Sequence, residues 1–191
     1  MGGRDFGEPG AAGHVPDHGP ITVIAAPTVS RGKPVVYPRH QPPQNPPHAV
    51  LSTIPSDSHT WNLLFLQLTL EEQGWDVTNL GACVPVHTLV TESAARPPGL
   101  IVVSTVNGHG AEEAPALARA VRAAPALARV PLVIGGKLDT EGSSDPDAHP
   151  ALTEAGFDAV LIGPNAVPRL LALLDSLSQR GHGKAYADAL R

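Results

Sequence analysis

From Ala49 onward the chain alternates short apolar runs with longer segments whose apolar residues recur every three or four positions. The short runs are Ala49 to Ile54, Asp76 to Gly81, Gly99 to Thr105, Pro131 to Ile134 and Ala159 to Ile162, and their lengths and flanking turn residues mark strands. The third is apolar throughout before it ends in Ser104 and Thr105, as a strand covered on both faces requires. Between the first two runs, Leu63 to Gln73 reads as an amphipathic helix. Leu63, Leu66 and Leu70 share one stripe, Leu64 and Leu68 lie beside it, Glu71 and Glu72 turn to water, and Gly74 suits a C-terminal cap. Pro85 to Ala95 (stopped by Pro97-Pro98), the alanine-rich Ala111 to Ala124, a short segment ending near Gly156, and Val167 to Gln179 complete five helices. Strands alternating with helices predict an α/β fold, a doubly wound five-stranded parallel sheet of Rossmann-like type. Right-handed crossovers restrict its topology, and the flavodoxin-like strand order suits this length.

Residues 1–48 break the pattern. They hold nearly half of the 21 prolines, including Gln41-Pro42-Pro43-Gln44-Asn45-Pro46-Pro47. Proline removes backbone donors and fixes φ, so such a segment builds neither ladders nor long helices. It reads as a flexible segment, or else, through the apolar run Ile21 to Ala26, as an arm that docks on the domain or on a partner. The expected organisation is therefore a proline- and glycine-rich segment 1–48, one folded domain 49–180 and a tail 181–191. A net charge of −5 without a Lys/Arg block argues against nucleic acid. Cys83 is the only cysteine, which excludes an intrachain disulfide and a cysteine-based metal site. Met1 to Gly10 has no hydrophobic signal region, and no apolar run approaches the roughly 20 residues that span a bilayer. A soluble cytoplasmic protein without membrane contact is the expectation.

The chemistry gathers at the carboxyl ends of the strands, where open α/β sheets bind ligands. The loop after the first strand is Ser56-Asp57-Ser58-His59-Thr60-Trp61-Asn62; the loop after the third adds Ser104 to Gly110; the loop after the fourth adds Gly135 to Gly142. No glycine-rich turn follows the first strand, which disfavours a nucleotide phosphate. A phospho-acceptor domain would want an acidic cluster there and a lysine after the fifth strand, where Gly163-Pro164 stands. A Ser/His/Asp hydrolase would want a Gly-x-Ser-x-Gly elbow, and a zinc site more ligands than His59 with His109. Two readings of Asp57 and His59 stay open on spacing alone. One is a turn or helix-capping aspartate with a surface histidine. The other is a metal-ligating histidine whose second nitrogen is held by a carboxylate.

These residues resemble the cobalamin (B12)-binding domain of adenosylcobalamin-dependent mutases, most of all the small subunit of glutamate mutase (methylaspartate mutase). The likeness runs from about Val50 to Leu177 and rests on Ser56-Asp57-Ser58-His59, Val77 to Gly81, Val103 to Gly110, Val133-Ile134-Gly135-Gly136 and Gly163-Pro164. The resemblance implies His59 as the lower axial ligand of cobalt, in place of the cofactor's dimethylbenzimidazole, and Asp57 as hydrogen-bond acceptor from the far imidazole nitrogen. Ser58 and Thr60 would line the loop under the corrin, with Ser56 a further cofactor-binding candidate in the same loop. Ser104, Thr105 and Val106 would contact the displaced nucleotide tail, with Gly108 in the same loop and Gly163 in the turn after the fifth strand. Gly135 and Gly136 would give the tail room, and Lys137, Leu138, Asp139, Thr140, Glu141 and Gly142 would cover its ribose and phosphate. Asn62 stands where the family's Asp-x-His-x-x-Gly signature has glycine, so its side chain either narrows the tail slot or offers an amide to the tail. The implied activity is that of the cobalamin-carrying component of a carbon-skeleton mutase converting L-glutamate to 3-methylaspartate. Cobalt–carbon homolysis would supply the radical, and a larger barrel-type subunit would hold the small-molecule substrate. A corrinoid carrier for methyl transfer, or a sensor, is the alternative, and a flavodoxin-like interaction domain without cofactor is a third reading.

Overall fold

The computed structural model describes residues 46–180 apart from Ser144. The run Ile21 to Ala26, the rest of the amino-terminal segment before Pro46, and the tail from Gly181 lie outside the described residues. Five strands and five α-helices alternate: β1 (His48–Ser52), α1 (Trp61–Glu72), β2 (Asp76–Asn79), α2 (Val86–Ala95), β3 (Leu100–Thr105), α3 (Gly110–Ala123), β4 (Leu132–Gly136), α4 (Pro150–Ala155), β5 (Ala159–Leu161) and α5 (Ala166–Arg180). All strand pairings are parallel, in the order β2-β1-β3-β4-β5. The sheet is therefore doubly wound and flavodoxin-like, as the alternation of runs predicted. Two boundary shifts matter. β1 ends at Ser52, so Thr53 and Ile54 begin the first loop, and β4 runs through Gly135 and Gly136, which are strand residues rather than loop.

Side chains alternate across each strand, and the core divides accordingly. Ala49, Leu51, Leu100, Val102, Val133 and Leu161 pack on one face against Leu63 and Leu70 of α1 and Leu170, Leu173 and Leu174 of α5. Val50, Ile101, Val103, Leu132, Ile134 and Val160 pack on the other, against Leu89 of α2, Leu117 and Val121 of α3 and Leu152 of α4. The strand order reverses between β1 and β3, so the loops leaving them part to opposite sides and leave a crevice. Gly74 takes φ +80 and donates to the carbonyl of Glu71, closing α1 in the left-handed conformation that glycine permits.

One expectation about α1 needs correction. Leu63 and Leu70 are buried and Leu66 partly so, but Leu64 and Leu68 lie open to solvent with Trp61 and Phe65. The helix carries a second apolar stripe, at positions 61, 64, 65 and 68, that the core does not use.

Candidate functional site

The loop between β1 and α1 is built around one carboxylate. Pro55 and Ser56 form a turn closed by Asp57 N–H to the Ile54 carbonyl at 3.1 Å, with proline at the position that favours its fixed φ. The Asp57 carbonyl accepts from Cys83 N–H at 2.8 Å and from the Thr53 hydroxyl at 3.2 Å, which ties the loop to the segment after β2. The side chain of Asp57 is fully buried. Its Oδ1 accepts from the His59 backbone N–H at 3.0 Å and from His59 Nδ1 at 2.7 Å. Its Oδ2 accepts from the Thr105 hydroxyl and from Val106 N–H, each at 2.7 Å. Burial alone would raise the pKa of this carboxyl. The hydrogen bonds from the His59 backbone, the Thr105 hydroxyl, the Val106 backbone and the His59 ring outweigh it and hold the value at about 2. Asp57 is thus ionised. It does close a local turn through His59 N–H, and it also holds the imidazole. It does not cap α1, whose N-cap is Thr60.

With Nδ1 donating to the carboxylate, the lone pair of the neutral ring is left on Nε2. The His59 side chain is 57% exposed, so this nitrogen is presented outward rather than spent on packing. Among the described residues no group of three or more His, Cys, Asp or Glu side chains is placed to hold a metal ion. A metal bound by His59 must therefore bring its other ligands with it.

Asn107 completes the bracing, and the sequence reading did not select it. Its Nδ2 donates to Ser56 Oγ at 2.9 Å, and its Oδ1 accepts from His109 N–H at 3.0 Å. The same oxygen lies 3.0 Å from Thr105 Oγ1, but the single hydroxyl proton belongs to the charged and closer Asp57. The available signal was an asparagine in a turn before Gly108, which takes φ +86.

Beside this loop, on the α1/α5 face, an apolar cavity of about 190 Å³ opens between the carboxyl ends of β3 and β4 and the helices above them. Asn62, Phe65 and Leu66 of α1 form one wall, Ala166, Val167 and Leu170 of α5 another, and the floor includes Val102, Ser104, Val133, Gly135 and Leu161, with Val106 and Gly136 at the strand ends. The alternation of β3 explains the division of labour. Ser104 faces this cavity, whereas Thr105 faces the opposite side and serves Asp57. Asn62 Nδ2 donates to Ser104 Oγ at 2.9 Å and approaches the Ser104 carbonyl at 3.4 Å.

The remaining sequence candidates fall into three groups. Ser58 and Thr60 are exposed on the rim with His59. Gly135 and Gly136 border the cavity, but their lack of a side chain is demanded by the sheet itself. A Cβ on Gly135 would stand 2.5 Å from the Leu161 carbonyl oxygen, and one on Gly136, at φ +109, would overlap the Thr105 carbonyl. The segment from Lys137 to Gly142 does not line the cavity. Lys137 N–H binds the Thr105 carbonyl, Leu138 is buried in the α3-side core and its carbonyl accepts from Ala111, and Asp139 turns onto the N–H groups of Gly142 and Ser143. Thr140 and Glu141 are exposed, and Gly108 packs against Asp139 and Thr140. This loop is held on the side of the sheet opposite the cavity because α3 begins beneath it. Gly163 takes φ +74 in the turn between β5 and α5, outside the cavity lining.

Residues 47–168 match the B12 binding domain family. The glutamate mutase sigma subunit of Halobacterium salinarum is 32% identical over 114 residues, 60% of this chain and 75% of that protein. The HTH-type transcriptional repressor CarA of Myxococcus xanthus is 35% identical over 102 residues, 53% of this chain but only 34% of that protein. Among solved structures, a cobalamin-binding protein from Desulfitobacterium hafniense superposes with a TM-score of 0.55 at 21% identity, over 68% of this chain and 58% of that one, which is a likeness of fold. The family match covers well over half of the chain and coincides with the sheet and the two features just described: the chain belongs to the B12-binding domain family.

Proposed function

We propose that this chain binds a cobalt corrinoid with His59 as a ligand of the metal, and carries it as the small component of an adenosylcobalamin-dependent carbon-skeleton mutase. The observation that carries the reading is the Asp57–His59 pair. A buried, ionised carboxylate fixes Nδ1 at 2.7 Å, Nε2 is left outward, and no other His, Cys, Asp or Glu among the described residues joins it in a metal-binding group. One protein nitrogen with a carboxylate behind it suits a metal already enclosed in a macrocycle. The apolar cavity beside the loop fits the displaced lower base, whose aromatic body wants apolar walls. When bound, adenosylcobalamin supplies the carbon-centred radical that takes hydrogen from the substrate; the protein supplies placement and ligation. Asp57 keeps the proton on Nδ1 and orients the ring, and Thr105, Val106 and Cys83 keep Asp57 from moving.

Arg96 and Arg122 are committed to Asp76 and Asp158 at the amino-terminal edge of the sheet, away from His59. The substrate is then held by a larger separate subunit, and by likeness to the Halobacterium protein it is L-glutamate. The unpartnered stripe of Trp61, Leu64, Phe65 and Leu68 begins two residues after His59 and supports a protein partner that covers the site. The test is to add hydroxocobalamin, reduce it to Co(II) and record the paramagnetic resonance spectrum. Nitrogen hyperfine coupling should be present in the native chain and absent in His59→Ala. No spectral change at millimolar cobalamin would sink the proposal.

A second reading follows from the similarity to CarA: the same domain would serve a regulator or a carrier rather than a mutase. It shares the His59 ligation and differs in needing no large subunit.

A further inference from the structure

We propose that Asn62 and Ser104, by spending their polar groups on each other, make the cavity a slot that selects corrinoids by the apolar edge of the lower base, taking dimethylbenzimidazole over a purine or a hydroxylated benzimidazole. The proposal rests on the reading of that cavity as the slot for the displaced base. Its surface is almost entirely carbon, with Phe65 and Leu66 of α1, Val133 and Leu161 of the floor and Leu170 of α5. The floor strands are paired in the β3–β4 and β4–β5 ladders, which occupy their main-chain groups. Asn62 and Ser104 are the two polar side chains of the lining. Asn62 Nδ2 donates to Ser104 Oγ at 2.9 Å and approaches its carbonyl at 3.4 Å. The Asn62 amide oxygen is buried, out of reach of a guest, and Ser104 is only 3% exposed. A guest in this slot finds apolar contact but no hydrogen-bond partner. What it carries on the ring that enters therefore decides how well it binds. The six-membered ring of the base lies opposite the ribose attachment and is the part free to enter. In dimethylbenzimidazole it bears two methyl groups, whose burial is favourable. In adenine it bears ring nitrogens and an amino group, and in 5-hydroxybenzimidazole a hydroxyl; these give up water without a replacement partner. The imidazole nitrogen released from cobalt is common to all three and does not discriminate.

The experiment titrates the full chain, and an Asn62→Ala variant checked by circular dichroism for an intact fold, with cobalamin and with corrinoids whose lower base is adenine or 5-hydroxybenzimidazole, and follows the absorption change. The native chain should bind cobalamin about tenfold more tightly than the hydroxybenzimidazole corrinoid, the effect of one polar group buried without a partner. Asn62→Ala frees the Ser104 hydroxyl and carbonyl for a guest, so the ratio of the two affinities should shrink toward one, and the adenine corrinoid should gain on cobalamin as well. Comparing ratios between the two proteins cancels each base's own tendency to leave cobalt. Equal affinities for cobalamin and the hydroxybenzimidazole corrinoid in the native chain, a preference there for the hydroxylated base, or a gap as wide in Asn62→Ala as in the native chain would overturn the proposal. Paramagnetic resonance on each Co(II) complex separates this from the underlying reading. Histidine coupling with every corrinoid and no preference among bases overturns base selection alone, whereas coupling absent with all of them overturns both.

Discussion

Asp57 is the residue on which the site turns, and its position explains why a single carboxylate suffices. Both oxygens are saturated, two donors each, and its carbonyl is pinned by Cys83 and Thr53. Rotation of the side chain would break four charge-assisted hydrogen bonds at once, so the imidazole is fixed in tautomer and direction before any ligand arrives. Replacing Asp57 by Ala removes the acceptor from His59 Nδ1 and should weaken corrinoid binding by roughly 10–100-fold, the usual cost of losing a residue behind a metal ligand; unchanged affinity on titration would refute that role. The same carboxylate makes stability depend on pH. Its pKa falls from 3.8 in the unfolded chain to about 2 in the fold, so the unfolded state binds the proton more readily. The contribution, about 2 kcal/mol for such a shift, is present above the unfolded value and is lost as the pH falls from about 4 to about 2. Urea unfolding of the native chain and of Asp57→Asn should show a stability gap that narrows across that window, and a gap constant from pH 5 to pH 2 would contradict the assignment. The pairing of Asp57 with His59 was legible in the sequence because two residues separated by one in a tight loop meet locally. Asn107 was not legible, since its partner Ser56 comes within reach only when β1 and β3 are neighbours.

At the scale of elements, α1 and β4 each differ from what periodicity alone conveys. In α1, counting apolar residues at helical spacing gathered five leucines into one broad face, whereas the fold buries Leu63 and Leu70 and leaves Leu64 and Leu68 outside. Spacing cannot say which of two apolar stripes meets the sheet; that depends on the crossover angle and on α5 occupying the other flank. The outer stripe predicts an interface. Leu64→Glu combined with Leu68→Glu should leave the corrinoid spectrum and the unfolding midpoint of the chain nearly unchanged, because both side chains are solvent-exposed. It should abolish activation by a large subunit, as read by coupled turnover or co-elution; full activity in the double variant would remove the stripe from the interface. In β4, the glycines looked like room for a ligand, and their first duty is to the backbone. Gly135 lies against the Leu161 carbonyl, and Gly136 combines φ +109 with contact on Thr105. Gly136→Ala should therefore destabilise the fold by more than the roughly 0.4–1 kcal/mol that Gly-to-Ala exchange adds at a compatible site, measured by chemical denaturation without ligand. A gain in stability would show that β4 can shift to accept a methyl group.

For the whole molecule, the topology could be read in advance because its determinants are local. Buried parallel strands read as apolar runs, helices alternate with them, and right-handed crossovers leave few arrangements. The sidedness of the site could not, because Ser104 and Thr105 are neighbours in sequence and serve opposite faces, and because the segment from Lys137 to Gly142 folds toward α3 rather than over the cavity. What results is a domain with a presented imidazole, an apolar cavity and an exposed apolar helix stripe at the same edge, and with Arg96 and Arg122 tied down at the opposite one. On the proposed reading such a domain holds the corrinoid and a separate subunit grips the substrate. The prediction for function follows. The chain loaded with adenosylcobalamin should not convert L-glutamate alone, and conversion should appear when a separately produced glutamate mutase large subunit is added, with a rate that saturates in this chain and vanishes with His59→Ala. Turnover by the chain alone would contradict the two-component assignment. Intact His59 ligation without turnover, at any ratio to a large subunit that is competent with its own small partner, would move the assignment to the regulator or carrier, since ligation is common to both readings and only the mutase needs the second subunit.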